Sequence, residues 1–480
     1  MKLSTKVAYN TIIQIISKLI ATLLGLLAVA FITRYLGREG FGEYTTVMTF
    51  LSFFAILADL GLTLVTVQMI SRPGADQDKI LGNLLGLRLI SGIIFIGAAP
   101  IAILFFPYAA AVKIGVAIAA LNFLFIALNQ IFVGLFQKHL RMDKVSIAEV
   151  VSRAVLVLCA IAAIKLNWGL AGILAATVTA GGVNFILHYY YSRSFSRVKL
   201  FFDFIVWKEI LSRTWPLALT ILLNLIYLRG DILLLSLINR TTKIGIIAEV
   251  GIYGAAYKVI DVLITFPYVF IGIILPILTA CWTRRDKKAF NNILQKAFEI
   301  MVIFAIPLLV GAQFTAKNIV ILVAGNSFAL AGPILRILIV AASLIYISVI
   351  FAHAIIAIDK WKKVIPAYLV AAITAVAGYL LLIPHFSYWG AAWITIYSEI
   401  FILLAQVYYL KKFTGFLPNL NILLKTSAAA GVMALAIYTI KLYLTNNLYI
   451  ILLSAILIYS IFIFIFKGLS KKDILSLFNK

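Results

Sequence analysis

The chain is dominated by long apolar stretches that are separated by short polar connections. About 20 consecutive apolar residues cross the hydrocarbon core of a bilayer as a helix, and fourteen stretches reach that length. Of all residues, 64% are hydrophobic and 12% are charged, against about 45–50% and 25% in soluble domains. The sequence therefore predicts an all-α integral membrane protein with about fourteen transmembrane helices. Their predicted limits are 9–33, 43–70, 80–106, 111–136, 145–165, 168–192, 209–238, 246–280, 292–315, 329–358, 364–384, 388–410, 421–443 and 447–466.

The charge balance is strongly basic, with 41 Lys and Arg residues against 17 Asp and Glu residues. The basic residues are spread over the short connections and not clustered on a polar domain, which argues against a nucleic-acid partner. Along the predicted topology, one side of the membrane carries 25 of them and the other side carries 8. Because cytoplasmic loops carry the excess of Lys and Arg, we expect a multi-pass protein of the cell membrane with both termini in the cytoplasm.

A polar segment with three glycines, RYLGREGFG at 34–42, separates the first apolar stretch from the second, and we call it the elbow. Glycine suits a tight reversal because it accepts positive φ at little cost. A similar segment returns about 209 residues later, where GIY at 251–253 aligns with GEY at 42–44. In this register Lys258 aligns with Thr49, and Asp261 aligns with Ser52. We interpret the two segments as one unit used twice.

The repeat extends beyond the elbow. WGLA at 168–171 aligns with WGAA at 389–392, and MDKVSIAEVV from Met142 aligns with WKKVIPAYLV from Trp361. The offset stays near 219–221, so the sequence predicts two pseudo-symmetric six-helix lobes that run in the same sense, followed by two C-terminal helices. Such repeats are typical of transporters with a site near the bilayer midplane. The predicted parts are an N-lobe at 1–195, a cytoplasmic linker at 196–208, a C-lobe at 209–412, and the last two helices with a tail at 413–480. We expect a surface helix in the connection from Arg193 to Arg213 that joins the two halves.

Charged residues inside the apolar stretches are the candidates for function. Each costs roughly 3 kcal/mol on insertion scales unless it faces protein or a water-filled cavity. Lys18 and Arg88 lie deep in their stretches without a carboxylate within one turn of the same helix. The alternative is that such residues form structural ion pairs, as Glu149 and Arg153 are spaced to do at i, i+4. The predicted cavity-lining cations are Lys18, Arg88, Arg229 and Lys258.

Four acidic residues lie within the apolar stretches as well. A desolvated carboxylate favours its protonated form, so it can bind and release a proton or hold a cation. The alternative is a counter-ion role, which is strong for Asp261 because it lies three residues after Lys258. Glu399 has no basic neighbour within two turns of its own helix and is therefore the first candidate. The predicted coupling carboxylates are Glu399, Asp59, Asp261 and Asp231.

Three motifs carry a family resemblance: RYLGREGFGEY at the elbow, ADLGL at 58–62, and an aspartate inside the seventh stretch in RGD at 229–231. With 6+6+2 spans, the chain resembles the polysaccharide-exporter or oligosaccharide-flippase family of the multidrug/oligosaccharidyl-lipid/polysaccharide (MOP) exporter superfamily. The resemblance implies movement of an undecaprenyl-pyrophosphate-linked glycan across the membrane by alternating access. Arg and Lys suit a pyrophosphate, whose oxygens are strong acceptors. It also implies a monomer that works beside polysaccharide polymerase machinery.

Two other transport functions and a membrane enzyme are the alternatives to this function. A flippase for the lipid-linked peptidoglycan precursor is close in chemistry, and a multidrug or cation antiporter of the same superfamily predicts twelve spans and a more acidic cavity. A membrane enzyme needs a larger extracytoplasmic loop than any in this chain, so we expect no enzyme. No nucleotide-binding motif and no Cys/His spacing of a metal site occurs. We expect no cofactor or metal, and a proton or sodium as the coupling ion.

Overall fold

The computed structural model describes residues 3–59, 61–62, 69, 76–139, 141–195 and 199–468. The remaining residues, among them 196–198 of the predicted linker and 469–480 of the predicted tail, lie outside this description. The described residues form helices and short connections, with no β-strand among them. The helices are α1 (Leu3–Asp59), α2 (Gln77–Ser91), α3 (Ala110–Lys138), α4 (Met142–Lys165), α5 (Gly169–Ser192), α6 (Phe204–Leu237), α7 (Ile246–Thr283), α8 (Lys287–Ala324), α9 (Ala331–Ala357), α10 (Ile365–Phe386), α11 (Tyr388–Thr414), α12 (Asn421–Tyr443) and α13 (Leu448–Ile465).

The number of spans follows from the length of these helices. Thirteen helices among the described residues are long and apolar enough to cross a membrane. The first of them, Ile16–Asp59, has 44 residues, which at a rise of 1.5 Å per residue is about 66 Å, or twice a hydrocarbon core of about 30 Å. It therefore accounts for the first two predicted spans, and the expectation of about fourteen transmembrane helices is confirmed.

The elbow is shorter than the sequence suggested. Within α1 the residue that leaves helical geometry is Gly37, at φ 64° and ψ −169°, whereas the residues on either side of it remain helical. Glycine adopts positive φ without the steric cost that a Cβ atom brings. Arg34 Nη1 donates to the Ala30 carbonyl oxygen at 2.9 Å, which satisfies one acceptor at the end of the first half. A break of one residue leaves few backbone groups without partners, which is why a nine-residue elbow is not formed.

The third predicted span, 80–106, is irregular just beyond a charged residue. After α2 the chain makes a π-helical turn at Gly92–Ile96 and a short helix at Gly97–Ala102 that contains Pro100. Proline has no N–H and removes one helical hydrogen bond, and π turns widen a helix locally. The irregular part begins four residues after Arg88, so it lies within about one turn of a predicted site residue.

The predicted linker is docked on α2 along a glycine face. Phe201 N donates to the Gly82 carbonyl oxygen at 3.2 Å, and Asp203 N donates to Asn83 Oδ1 at 2.8 Å. A Cβ atom added at Gly86 would overlap the Phe201 carbonyl oxygen, so the two backbones touch. Lys79 Nζ lies 3.2 Å from Asp203 Oδ2 and lowers the pKa of that carboxyl group. These contacts hold residues 199–203 in an extended strap.

The surface helix that was predicted within the connection is not a separate element. Asp203 caps α6 by accepting hydrogen bonds from Ile205 N and Val206 N, and the helix then runs unbroken to Leu237. Trp207 and Ile210 in its first turns are buried against apolar residues of α2 and α3. Burial of these two side chains favours continuing the helix from the connection into the membrane.

The chain divides into two compact units, Met1–Gly254 and Ala255–Lys480. In the first unit, α1, α3, α4 and α5 pack on one another. In the second unit, α9 is buried around most of its circumference and packs against α8 and α11, while α12 and α13 pack beside α8. A helix that is apolar on all sides is suited to such a central position. The lobe limits derived from the repeat, 1–195 and 209–412, stay a prediction.

Candidate functional site

Arg88 and Asp59 form an ion pair in the first unit. Arg88 lies on α2 and is fully buried, while the Asp59 side chain at the end of α1 keeps 23% of its exposure. Next to the pair, Ser91 Oγ donates to the Ala58 carbonyl oxygen at 2.7 Å and ties the two helices together. The sequence assigned these residues to separate roles, a substrate cation and a coupling carboxylate. The structure brings them together, because the carboxylate that Arg88 lacks on its own helix comes from α1.

Lys18 also has a partner on another helix. Its Nζ lies 2.8 Å from Glu149 Oε1 of α4, across 131 positions of sequence. The two side chains are 42% and 30% exposed, so the pair is not sealed from its surroundings. Spacing along one helix had paired Glu149 with Arg153, and no local signal in the sequence points from Glu149 to Lys18.

Asp231 of α6 is fully buried and accepts a hydrogen bond from the Tyr253 hydroxyl of α7 at 2.7 Å. Its other oxygen accepts from the backbone N–H of Ile232 at 2.7 Å. Arg229 lies two residues earlier and is half-buried. Residues at i and i+2 point to different faces of a helix, so the two side chains start from different faces of α6.

Lys258 and Asp261 lie in the second unit on neighbouring turns of α7. Lys258 Nζ is 3.9 Å from Asp261 Oδ2, and the side chains are 32% and 31% exposed. This geometry supports the counter-ion alternative for Asp261. Both side chains keep enough exposure to meet another charged group.

Glu399 is different from the other acidic residues. It is 2% exposed on α11, and its Oε1 atom has no hydrogen-bond partner among the described residues. Burying a carboxylate without a partner is costly unless it is protonated or binds a cation. The arrangement therefore provides a place for a proton or a small cation.

Hydroxyl and amide groups lie on α11 one turn before Glu399 and two turns after it. Ser348 Oγ of α9 donates to Gln406 Oε1 at 2.9 Å, and Gln406 Nε2 donates to the Tyr368 hydroxyl of α10 at 3.1 Å. One turn before Glu399, Thr395 Oγ1 donates to the Ala391 carbonyl oxygen at 3.0 Å. Thr395, Glu399 and Gln406 are spaced by four and seven residues, which places them on one helical face. The contributions of Ser348 and Tyr368, in contrast, depend on how three helices pack.

An apolar cavity of about 620 Å³ lies within the second unit. Its walls come from α7, α8, α9, α12 and α13, with Phe266, Phe304, Met433 and Phe464 among the lining residues. Two tyrosine hydroxyls at its wall are already satisfied, since Tyr346 donates to the Leu263 carbonyl oxygen at 2.8 Å and Tyr459 donates to the Ile303 carbonyl oxygen at 2.7 Å. No local pattern in the sequence points to this cavity, because it is formed by residues far apart in the chain.

The fold is shared with solved membrane transporters. A lipid II flippase MurJ in an inward closed conformation matches with a TM-score of 0.76 and 18% identity, over 95% of this chain and 98% of that chain. An inward-facing multidrug resistance MATE family transporter of the MOP superfamily matches with a TM-score of 0.65 and 15% identity, over 83% of this chain and 96% of that chain. A MOP superfamily transporter from Pyrococcus furiosus with a binding pocket of reversed polarity matches with a TM-score of 0.61 and 13% identity, over 85% of this chain and 95% of that chain. A search of the curated proteins gave no significant match.

These likenesses define the fold class, a polytopic all-α membrane protein with the MOP transporter fold. The family follows from the sequence itself, because a family model described as polysaccharide biosynthesis protein matches residues 7–282. The chain belongs to the polysaccharide biosynthesis protein family. The resemblance stated from the elbow, ADLGL and RGD motifs is thereby confirmed at the level of this family.

Proposed function

We propose that this protein is a flippase that moves an undecaprenyl-pyrophosphate-linked oligosaccharide, the repeat unit of a polysaccharide, across the cytoplasmic membrane by alternating access. The observation that carries the proposal is the match of residues 7–282 to the polysaccharide biosynthesis family on a chain with the MOP transporter fold. An anionic head must cross about 30 Å of hydrocarbon while its lipid tail stays in the bilayer. The protein has to offer polar contacts to one part of the substrate and apolar contacts to the other.

The proposed contacts of the pyrophosphate are Lys18, Lys258 and Arg229, with Arg88 in support. Lys18 and Lys258 keep 42% and 32% of their side-chain exposure, so their ion pairs leave room for a second anion. A Lys ammonium has three donors and can bind a carboxylate and a phosphate oxygen together. Arg88 is buried and paired with Asp59, and its proposed role is to hold that carboxylate in place.

The proposed occupant of the apolar cavity is the isoprenoid chain of the substrate. The cavity is lined by aliphatic and aromatic side chains, and its tyrosine hydroxyls are engaged with backbone carbonyl groups. A mainly apolar wall whose tyrosine hydroxyls are already hydrogen-bonded favours a hydrocarbon over water or sugar. Apolar chains gain free energy from such a wall through close packing.

Directionality requires an energy source, because a site that accepts the substrate equally in both orientations shifts no equilibrium. We propose that Glu399 couples the cycle to a proton or sodium gradient, since its Oε1 is buried without a partner. Asp59, Asp231 and Asp261 are weaker candidates for this role because each already contacts a cation or a hydroxyl donor. The proposed setting is the cell membrane, with both termini in the cytoplasm, a monomeric protein, and the polymerase machinery as consumer of the product.

A second candidate function is transport of the lipid-linked peptidoglycan precursor. The likeness to a lipid II flippase favours it, although 18% identity supports only a common fold. The likeness to MATE transporters similarly suggests multidrug antiport.

The decisive experiment uses purified protein in proteoliposomes with a fluorescent undecaprenyl-pyrophosphate oligosaccharide, and it measures the fraction moved between leaflets. Lipid-linked peptidoglycan precursor and a cationic dye are assayed in parallel. We expect the oligosaccharide to move faster than in protein-free vesicles. Movement of the precursor or the dye without movement of the oligosaccharide would replace the proposal with the corresponding alternative.

A further inference from the structure

The two copies of the elbow unit touch each other through their glycines. Gly42 of α1 and Gly251 of α7 are equivalent in the repeat. A Cβ atom added at Gly42 would overlap the Ile247 carbonyl oxygen, and one added at Gly251 would overlap the Arg38 carbonyl oxygen. Ile247 precedes Gly251 by four residues, just as Arg38 precedes Gly42 by four. The contact is therefore reciprocal, as it is around a two-fold axis.

The same relationship continues one turn further. Gly254 is equivalent to Thr45, and a Cβ atom added at Gly254 would lie 2.7 Å from Thr45 Oγ1. That hydroxyl donates to the Phe41 carbonyl oxygen at 2.8 Å, so it is turned to its own helix. Small residues allow two helices to approach until their backbones meet, and no space remains between them for water or sugar.

We propose that this reciprocal contact between Gly42 and Gly251 is the gate that closes the transport path at the elbow end of the protein. The inference rests on the proposed function, because a gate needs a path. A path that runs between two related copies follows the axis that relates them, and a contact on the axis blocks it. Both halves of the contact break together when α1 and α7 separate, so the gate has two discrete states.

The face of α7 that is closed by α1 also carries predicted substrate residues. Gly251, Gly254, Lys258 and Asp261 follow one another at steps of three and four residues, which places them on one helical face. Lys258 comes one turn after Gly254, where the glycine contact ends. Separation of α1 from α7 therefore opens a route along this face to a proposed pyrophosphate contact.

The α6–α7 hairpin is braced so that it moves as one piece. Arg240 Nη2 lies 2.6 Å from Glu249 Oε2, and Arg240 Nη1 donates to the Leu235 and Ile238 carbonyl oxygens. Tyr253, between the two contact glycines of α7, is held by Asp231 of α6. A movement of Asp231 therefore also moves the part of α7 that carries Gly251 and Gly254.

A hydrogen bond supplements the glycine contact in the first unit. The hydroxyl groups of Tyr108, which precedes α3, and Ser236, near the end of α6, are 2.7 Å apart. Burial raises the pKa of Tyr108 to about 12, so its hydroxyl remains protonated at neutral pH. Opening of the gate therefore has to break this hydrogen bond as well as the glycine contact. We expect the Tyr108 hydroxyl to stay protonated while it opens.

A reversible cross-link tests the gate. Thr45→Cys and Gly254→Cys are combined with Cys159→Ala and Cys281→Ala, since the Cβ atom at position 254 lies 3.2 Å from that of Thr45, close to disulfide range. In proteoliposomes we expect oxidation to reduce oligosaccharide movement more than about tenfold, and reduction to restore it. Each single cysteine variant serves as control. A fully cross-linked protein that transports at the rate of the reduced protein would overturn the gate.

A second measurement tests the gate in the absence of substrate. Spin labels at Glu39→Cys and Lys243→Cys, both exposed, report the distance between the elbow and the α6–α7 connection in the same cysteine-free background. We expect Gly251→Leu to shift the distance distribution to longer values, and Gly272→Leu, on the same helix in open space, to leave it unchanged. If both variants give the same distribution, the gate is refuted. If the distance shifts but the reduced protein moves no oligosaccharide, the proposed function fails and the separable contact stands.

Discussion

Lys18 of α1 and Glu149 of α4 form an ion pair at 2.8 Å although 131 positions separate them in the chain. The Lys18 side chain remains 42% exposed within this pair. An ammonium group that is fixed by one carboxylate and still accessible is suited to receive a second, mobile anion.

Replacing Lys18 by Ala should reduce oligosaccharide movement several-fold, while Glu149→Gln should leave most of it, because the pyrophosphate contact is assigned to Lys18. The loss of a partly exposed pair should cost at most about 1 kcal/mol of unfolding free energy in either variant. Transport rates in proteoliposomes and thermal unfolding in detergent measure the two effects. Equal losses of transport in both variants would mean that the ion pair, and not the lysine, is needed.

Removing one partner of the Arg88–Asp59 pair should destabilise the protein strongly. Arg88 is fully buried, and an uncompensated buried charge costs about 3–5 kcal/mol. We expect Asp59→Ala to unfold at a clearly lower temperature than the double variant Asp59→Ala with Arg88→Met, in which no buried charge is left. A double variant that is less stable than Asp59→Ala would contradict this account of the pair.

Exchanging Glu399 for Gln keeps the shape of the side chain and removes its ability to bind a proton or cation. We expect Glu399→Gln to fold normally and to lose the acceleration of transport by an imposed pH or sodium gradient. The measurement is oligosaccharide movement with and without each gradient. If the wild-type protein ignores both gradients and Glu399→Gln is equally active, the protein is a gradient-free flippase, and export is driven by consumption of the product.

A methyl group at Gly86 should release the strap that docks on α2. Alanine is normally better than glycine in a helix by up to about 1 kcal/mol, so Gly97→Ala, in open space on the same span, should be neutral or stabilising. Gly86→Ala should instead destabilise by about 1–3 kcal/mol, because its methyl group overlaps the Phe201 carbonyl oxygen. Trypsin cleavage after Lys199 should be faster in Gly86→Ala than in Gly97→Ala. Equal cleavage would mean that the strap does not depend on the glycine face.

The two connections that flank α7 should lie on opposite sides of the membrane. In protein without Cys159 and Cys281, we expect Lys243→Cys to react with an impermeant maleimide in intact cells. Arg284→Cys should react only after permeabilisation. Both side chains are exposed, so neither is protected by the protein itself. Labelling in the reverse order would invert the proposed orientation.

The sequence by itself determined the fold class, the number of spans and many of the helix limits to within a few residues, although α8 (Lys287–Ala324) extends well beyond the predicted 292–315. In hydrocarbon every backbone N–H and C=O group must form a hydrogen bond within the protein. A sufficiently long apolar segment meets this requirement by forming an α-helix. For example, the predicted span 421–443 has the limits of α12. The family motifs are likewise local and were sufficient for the resemblance that the family model confirms.

The tertiary structure alone decided what each charged residue contacts. In the sequence Arg88 and Lys18 have no acidic partner at helical spacing, because such spacing relates residues of the same helix only. Their partners are Asp59 of α1 and Glu149 of α4. The repeat identified Gly42 and Gly251 as equivalent, but equivalence does not imply contact, and only helix packing brought their backbones together. Glu399 is the opposite case, since it lacks a basic neighbour in the sequence and keeps a buried oxygen without a partner in the fold. Local patterns act through the backbone of one helix, while partners, cavities and gates arise from side chains on several helices.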